Sequence, residues 1–357
     1  MFRRVRQGTG DRQPQVLVVV PCYNYGRYLE ACVASVLSQQ GVFVRVHILD
    51  DASTDGSGKV AAAIADRDGR VQATLHAANR GHIATYNEGL SAADSDFVVL
   101  LSADDMLAPG SLARATSLMN AFPSVGLVYG HPQNFESAPA RETGRLRNWS
   151  VWQGERWIAA QCRRGLSIIS SPEAVVRTSV QHEVGYYRPE LPHSGDLEMW
   201  LRIADVAAVG RVNGVDQAYR RVHPASMMAT GYGTLQADLE ERRKAYDSFF
   251  SGSVLPEARR NQLDEAVKRR MAAEALEWSA AACEAGGASA VDINKAVSFA
   301  LETHPQAASS AAYQDYLHSS GSVKGRSLAN AVAAWRGSIQ RDFGPRLRWQ
   351  QWRRYGI

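Results

Sequence analysis

The chain has 357 residues, 45% of them hydrophobic and 21% charged, with a net charge of +4. That composition excludes a disordered or low-complexity chain, and the charge is too small to suggest a nucleic-acid partner. No apolar run approaches the ~18 residues of a membrane span, and the length fits one large domain with an appendage, or two domains.

Residues 1–14 are polar and basic, lack the apolar stretch of a signal peptide, and read as a disordered lead. An apolar strand runs from Gln15 to Val20 and stops at Pro21. Tyr28, Leu29, Cys32, Val33, Val36 and Leu37 then recur at helical spacing and mark one apolar face. Val42 to Leu49 is the next strand, closed by Asp50 and Asp51. A helix through Val60 to Ala65 and a strand near Val71 to Leu75 follow. The loop AANRGH leads into a helix through Ile83, Tyr86 and Leu90. The strand Phe97 to Leu101 ends in Asp104 and Asp105, a helix opens at Pro109, and a strand covers Val125 to Tyr129. This alternation predicts a mostly parallel sheet with helices on both faces.

Residues 131–193 are less regular and rich in Trp, Arg, Ser, Pro and Gly; they read as pocket-shaping loops or as a surface excursion whose Trp149, Trp152 and Trp157 only pack. Asp196 to Tyr219 reads as helix then strand. Beyond residue 233 the chain turns to Ala-, Glu- and Arg-rich helices at Leu235 to Phe250, Glu257 to Ala282 and Val291 to Leu301. The expected division is therefore an α/β domain over 15–233 and a helical region over 234–357. Cys22, Cys32, Cys162 and Cys283 lack CxxC spacing, so reduced cytosolic thiols are expected rather than a zinc site or disulfides.

Three acidic sites fall at strand ends or a helix start: Asp50-Asp51, Asp104-Asp105 and Asp196. In a parallel sheet the C-terminal tips of neighbouring strands share one edge, where open α/β sheets bind ligands. Clustered carboxylates repel one another unless a cation neutralises them, and hard oxygens suit Mg²⁺ or Mn²⁺ holding a diphosphate. Turn-and-cap chemistry is the plainer reading of DDASTDGS taken alone.

Six segments occur in order: PCYNYGRYLEACVASVLSQ, ILDDASTDGS, NRGHIATYNEGL, LLSADDML, SGDLEMWLRI and YRRVHPASM. Together they resemble the family-two inverting glycosyltransferases of the GT-A fold, whose nucleotide-diphospho-sugar transferase domain has a Rossmann-like, mostly parallel sheet. The resemblance covers residues 15–228 and stops before the helical end. It implies that Pro21, Tyr23 and Asn24 open the nucleotide pocket and that Asp51 binds the uracil of a UDP-sugar donor. It implies that Asn79, Gly81 and Asn87 line the donor, that Asp104 faces the ribose, and that Asp105 ligates the Mn²⁺ or Mg²⁺ under the diphosphate. Ser102 stands where the family often has a further acid. Asp196 takes the place of the catalytic base, with Glu198 and His193 as neighbouring rivals, and His223 resembles a residue closing on the diphosphate or metal. His82 and His131 read as local hydrogen-bonding groups, Cys22 as a small buried residue, and Met227-Met228 as packing.

The implied chemistry is displacement at the anomeric carbon, with a carboxylate removing the acceptor hydroxyl's proton and a cation stabilising the leaving diphosphate. The expected acceptor is a glycan, lipid-linked glycan or small natural product. The QxxRW motif and membrane helices of processive synthases are missing from the sequence, which favours single transfer; the expected location, from the cysteines, is the cytoplasm. The C-terminal tail joins Arg341, Arg346, Arg348, Arg353 and Arg354 to Trp349, Trp352 and Tyr355 on one helix face. Docking on the body is the favoured reading; peripheral contact with the inner membrane face stays open, as does homodimerisation through the helical region. Two other classes also stay open. One is a non-catalytic sugar-nucleotide binder. The other is a nucleotidyltransferase, although PCYNYG is not the Gly- and basic-rich phosphate loop such an enzyme would carry.

Overall fold

The computed structural model describes residues 12–140, 144–224, 234–285 and 288–321. The chain divides into two compact units, residues 1–158 with 167–226 and residues 159–166 with 227–357. In the first unit the elements run β1 (Gln15–Cys22), α1 (Gly26–Leu37), β2 (Phe43–Asp50), α2 (Ser57–Arg67), β3 (Val71–Leu75), α3 (His82–Ser91) and β4 (Phe97–Leu100). They continue as β5 (Met106–Leu107), α4 (Ser111–Ala121), β6 (Val125–Phe135), β7 (Trp149–Trp152), α5 (Gly154–Arg164), β8 (Val175–Arg177), α6 (Thr178–Val184), α7 (Gly195–Val206) and β9 (Ala208–Arg221). The unit boundary at residue 159 falls within α5.

The nine strands form one sheet in the order β3-β2-β1-β4-β8-β6-β9-β5, with β7 on β9. The half from β3 to β4 is parallel throughout. β1 is its centre: Val16, Leu17, Val18, Val19 and Val20 are all buried, as both faces are covered. Leu29, Cys32, Val33 and Val36 make the buried stripe of α1, and each such side chain contributes roughly 1.5–3 kcal/mol of apolar burial. Helix α3 lies against β1 and β2 at Gly89. A Cβ there would come within 2.2 Å of Val19 Cγ1 and 2.8 Å of Leu49 Cδ1, so the close approach needs glycine.

Parallel register places the ligand edge. Cys22 pairs with Asp50 at the ends of β1 and β2. The ladder continues through Asp51 N–H to Cys22 O and Leu101 N–H to Val19 O, each 2.9 Å. The residues after β2 and β4 therefore emerge together at the C-terminal edge of the sheet. Beyond β4 the pairing changes, since β8 runs antiparallel between β4 and β6.

Two stretches differ from expectation. Helix α4 begins at Ser111 after Gly110 (φ 70°) rather than at Pro109. Before it, Met106 and Leu107 form a short strand against Tyr219 and Ala218. Residues 131–193 hold the end of β6, strands β7 and β8, and helices α5 and α6. Trp149, Trp152 and Trp157 are buried, and Tyr129 stacks on Trp152 with centroids 6.4 Å apart. These Trp residues are core. Strands of four and three residues are too short to show alternation, and their partners are remote in sequence.

The second unit holds α8 (Leu235–Gly252), α9 (Glu257–Ala285), α10 (Ala290–Thr303), a 3₁₀ turn (Pro305–Ser309) and α11 (Ala311–Ser319). Thr234, Ser289 and Ser310 cap α8, α10 and α11 by accepting a backbone N–H. Its core includes Leu239, Tyr246, Phe249, Val267, Met271 and Leu276. The Arg242 guanidinium bridges Asp238 at 2.8 Å and Glu274 at 3.0 Å, and donates to Gly165 O at 2.7 Å. No described helix is long and apolar enough to cross a membrane. Residues 1–11, Met227-Met228 and the arginine-aromatic tail lie outside the described residues.

Candidate active site

The loop after β2 divides its acids between structure and site. Asp50 Oδ2 accepts Ser53 N–H at 3.1 Å and Asp55 Oδ1 accepts Ser57 N–H at 2.9 Å, so these two acids do the turn and cap work. Asp51 is buried and sits in a separate cradle. Its Oδ1 accepts from Arg80 N–H and His76 Nδ1, each at 2.8 Å, and its Oδ2 accepts from Gly81 N–H at 2.9 Å. Burial pushes the Asp51 carboxyl up, but these hydrogen bonds together outweigh it and hold the group below its ordinary value. One Oδ2 lone pair stays uncommitted, enough to accept a hydrogen bond from a ligand N–H. Asn79 braces the cradle: its Nδ2 donates to Asp51 O at 3.0 Å and its Oδ1 accepts Gly81 N–H at 3.2 Å. His76 Nε2 lies 3.2 Å from Glu88 Oε2.

Asn24 joins the loops after β1 and β2. It takes a left-handed φ of 60°, donates its N–H to Ser53 Oγ at 2.9 Å, and accepts Thr54 N–H at 2.8 Å. Pro21 is half-buried inside β1, while Tyr23 is 50% exposed beside this corner and free to stack on a planar ligand.

The acidic pair after β4 is held from β9. Asp105 Oδ1 accepts Arg221 N–H at 2.8 Å, and Asp104 O accepts Arg221 Nε at 3.0 Å. The Arg221 guanidinium lies between the Tyr28 and Phe135 rings, 4.4 Å from each centroid. His223 Nε2 lies 3.0 Å from Asp104 Oδ2, and its ring meets Tyr25 edge-on at 5.5 Å. Burial, then the neighbouring Asp104 charge, raises the Asp105 carboxyl, with the Arg221 N–H working against them. Among the described residues no three His, Cys, Asp or Glu side chains are grouped to hold a metal. The pair nevertheless fits a divalent cation on a diphosphate. Mg²⁺ on nucleotide substrates takes one or two carboxylates and completes its shell with phosphate and water, and a cation would relieve the repulsion that raises Asp105.

Asp196 opens α7, and each of its oxygens accepts a hydroxyl. Tyr187 OH donates to Oδ1 at 2.6 Å and Ser171 Oγ donates to Oδ2. Ser171 has φ 82°, a strained value for a residue with a side chain. Two residues on, Glu173 is 2% exposed; Oε1 accepts Ser170 N–H at 2.7 Å and Oε2 is buried without a partner. Burial lifts the Glu173 carboxyl to about 7, and the charge of Asp196 adds to the lift. The acids act on shared neighbours: burial, then the charges of Asp196, Asp104 and Asp105, raises the Tyr86 phenol.

The rivals of Asp196 are placed differently. Glu198 is fully buried between Arg202 Nε at 2.7 Å and Arg188 Nε at 3.0 Å, a structural ion pair. His193 is half-buried two residues before α7. Asn87, expected to line the donor, spends its amide on the backbone of Tyr187, donating to O and accepting from N–H at 2.8 Å each. His82 Nε2 donates to Pro192 O at 2.9 Å, and His131 Nδ1 pairs with Asp216 at 2.7 Å. Cys22 is buried and its thiol is pushed up to about 11 by that burial, which leaves little nucleophilic thiolate.

Residues 17–182 match the family model for glycosyl transferase family 2. This stretch resembles a family 2 glycosyl transferase domain. Glycosyltransferase GlyG of Streptococcus pneumoniae is 38% identical over 93 residues, 26% of this chain and 31% of its own. Succinoglycan biosynthesis protein ExoO of Rhizobium meliloti is 36% identical over 104 residues, 29% of each chain. The chain thus spans about a third of the length of these relatives. Among solved structures, S. aureus TarS 1–349 in complex with UDP-GlcNAc aligns at TM-score 0.62 and 16% identity, covering 86% of this chain and 91% of that one. Mannosyltransferase PcManGT from Pyrobaculum calidifontis, in complex with GDP-Man and Mn²⁺, aligns at TM-score 0.57 and 17% identity, covering 95% and 83%. These likenesses identify the fold as GT-A.

The matched stretch includes Pro21, Tyr23, Asn24, Asp51, Asn79, Gly81, Asn87, Asp104 and Asp105, whereas Asp196 and His223 lie beyond it. Sequence reasoning missed Ser171, Glu173, Tyr187, His76 and Arg221. Arg221 stood inside the quoted YRRVH segment at the end of the last strand, where a cation beside an acid pair could have been sought. The others carried no local signal.

Proposed function

We propose that this chain is a metal-dependent, inverting glycosyltransferase that moves one sugar from a nucleotide-diphosphate donor, a UDP-sugar, to a hydroxyl acceptor. The observation that carries the reading is the parallel register that brings Asp51 and the Asp104-Asp105 pair to one sheet edge. The match to the family 2 model and the nucleotide-sugar complexes of the GT-A neighbours support it.

In this reading the remaining Oδ2 lone pair of Asp51 takes the uracil N–H, while Tyr23, Pro21 and Asn24 frame the base and Asn79 and Gly81 hold the cradle. Asp104 faces the ribose and Asp105 holds the cation. Bound Mn²⁺ or Mg²⁺ would supply Lewis-acid stabilisation of the departing diphosphate. His223 and Arg221 place positive or hydrogen-bonding groups beside that pair. Asp196 removes the acceptor hydroxyl proton: with one lone pair of each oxygen engaged by Tyr187 and Ser171, a second on each is left to accept it.

A thermal-shift screen of UDP-, GDP- and dTDP-sugars with and without Mn²⁺ tests this assignment. The largest stabilisation is expected from a UDP-sugar with Mn²⁺. Stabilisation by none of them would refute it.

A further inference from the structure

Helix α3 touches both ends of the proposed reaction centre. At its N-terminus, Arg80 N–H and Gly81 N–H hold the two Asp51 oxygens at 2.8 and 2.9 Å. Along its length it fastens the segment that leads to Asp196. His82 donates to Pro192 O at 2.9 Å, the Tyr86 ring meets the Tyr187 ring edge-on at 5.6 Å, and Asn87 closes both backbone groups of Tyr187 at 2.8 Å. Tyr187 then reaches Asp196 Oδ1 through its hydroxyl at 2.6 Å. The helix itself is fixed on the sheet at Gly89, where no side chain intervenes.

We infer that α3 is the strut that sets the base Asp196 against the nucleotide-recognising Asp51, with Asn87 and Tyr187 as its positioning residues. The inference rests on the proposed role of Asp196. It reassigns Asn87, because an amide whose two ends are spent on Tyr187 has at most one N–H and one lone pair left for a ligand. Both bonds are to main chain, so Asn87 fixes the path of the segment rather than one rotamer. A base misplaced by even ~1 Å loses rate on the order of 10²-fold while donor affinity stays intact. Removing a donor-lining residue does the reverse, weakening donor binding with the rate at saturation unchanged.

The test uses the full chain with Mn²⁺ and water as acceptor, following nucleotide release from UDP-, GDP- and dTDP-hexoses and calorimetric binding of the free nucleotide. Asn87→Ala is expected to lower kcat about 10- to 100-fold with donor KM and nucleotide Kd within about twofold. Retained nucleotide binding also reports a folded variant. Tyr187→Phe keeps the Asn87 bonds and the ring contact, and is expected to lower kcat about 10-fold with the same KM. The double variant should fall short of the product of the two losses, as residues in one chain of contacts are not additive. A raised donor KM at unchanged kcat in Asn87→Ala, or losses that multiply, overturns the inference. If Asp196→Asn is inactive while Asn87→Ala gives that result, only this inference fails. If Asp196→Asn turns over normally, or no donor is hydrolysed by the unaltered chain, the reading beneath it fails as well.

Discussion

Replacing Glu173 by Gln should make the protein more resistant to alkaline pH. Glu173 is 2% exposed, and burial lifts its carboxyl from an ordinary 4.5 to about 7. Below about pH 4.5 both the folded and unfolded chains carry the proton. Between there and pH 7 only the folded chain does, so raising the pH draws a proton from the folded state and stability falls. Above about pH 7 the full penalty is present. At about 1.4 kcal/mol per pH unit, the interval amounts to about 3 kcal/mol. Gln never ionises, and whatever its amide gains or loses in the site is the same at every pH. Relative to the natural chain, Glu173→Gln should therefore gain about 3 kcal/mol between pH 5 and pH 8, or roughly 6–12 °C in Tm for a domain of this size. Thermal melts followed by circular dichroism in EDTA, at intervals from pH 5 to 8, measure the difference directly. Two melting curves that stay parallel across that range would show that Glu173 does not bear an uncompensated charge.

Other perturbations follow from the site. Asp196→Asn should lower kcat by roughly 10²–10⁴ with donor KM little changed; normal turnover would remove Asp196 from that role. Asp105→Ala should abolish the Mn²⁺-dependent part of UDP binding, and calorimetry giving equal affinity with and without Mn²⁺ in the natural chain would contradict the metal assignment. Because its hydrogen bonds hold the Asp51 carboxyl low, Asp51 stays ionised under mild acid. Uridine affinity in EDTA, which reads the base site without diphosphate or metal, should then be flat from pH 8 down to about 5, and a loss already at pH 6 would contradict Asp51 as the group that holds the base. Gly89→Ala would force a methyl against Val19 and Leu49 and should cost about 1–3 kcal/mol, measurable by urea titration.

The α/β half of the chain was legible because its strands are continuous apolar runs. Strands buried on both faces, such as β1 and β4, need uninterrupted Val and Leu, and the acids that end them stand out against that background. Asp51 and Asp104-Asp105 could be placed at one edge from strand order alone, since parallel pairing fixes which ends coincide. What could not be read is the support of Asp196. Ser171 and Glu173 enter through β8, three residues inserted antiparallel between β4 and β6, and no periodicity announces a strand so short. Tyr187 and Asn87 are 100 residues apart, and their pairing follows from the packing of α3, which a side-chain pattern does not encode. Asn87 is a case in point: its position in NEGL suggested the donor, and the motif gives no sign that its amide also holds the main chain of Tyr187. The tryptophans of residues 131–193 left two readings open for a related reason, as composition alone does not separate a pocket wall from a core.

The anomeric configuration of the first sugar released decides most directly whether Asp51, Asp105 and Asp196 work as one centre. With a UDP-sugar, Mn²⁺ and water as acceptor, time-resolved proton NMR should show the inverted anomer appearing before mutarotation, and its release slowed at least ~10²-fold in Asp196→Asn. Release with retained configuration, or equal release from Asp196→Asn, would contradict direct displacement assisted by that carboxylate.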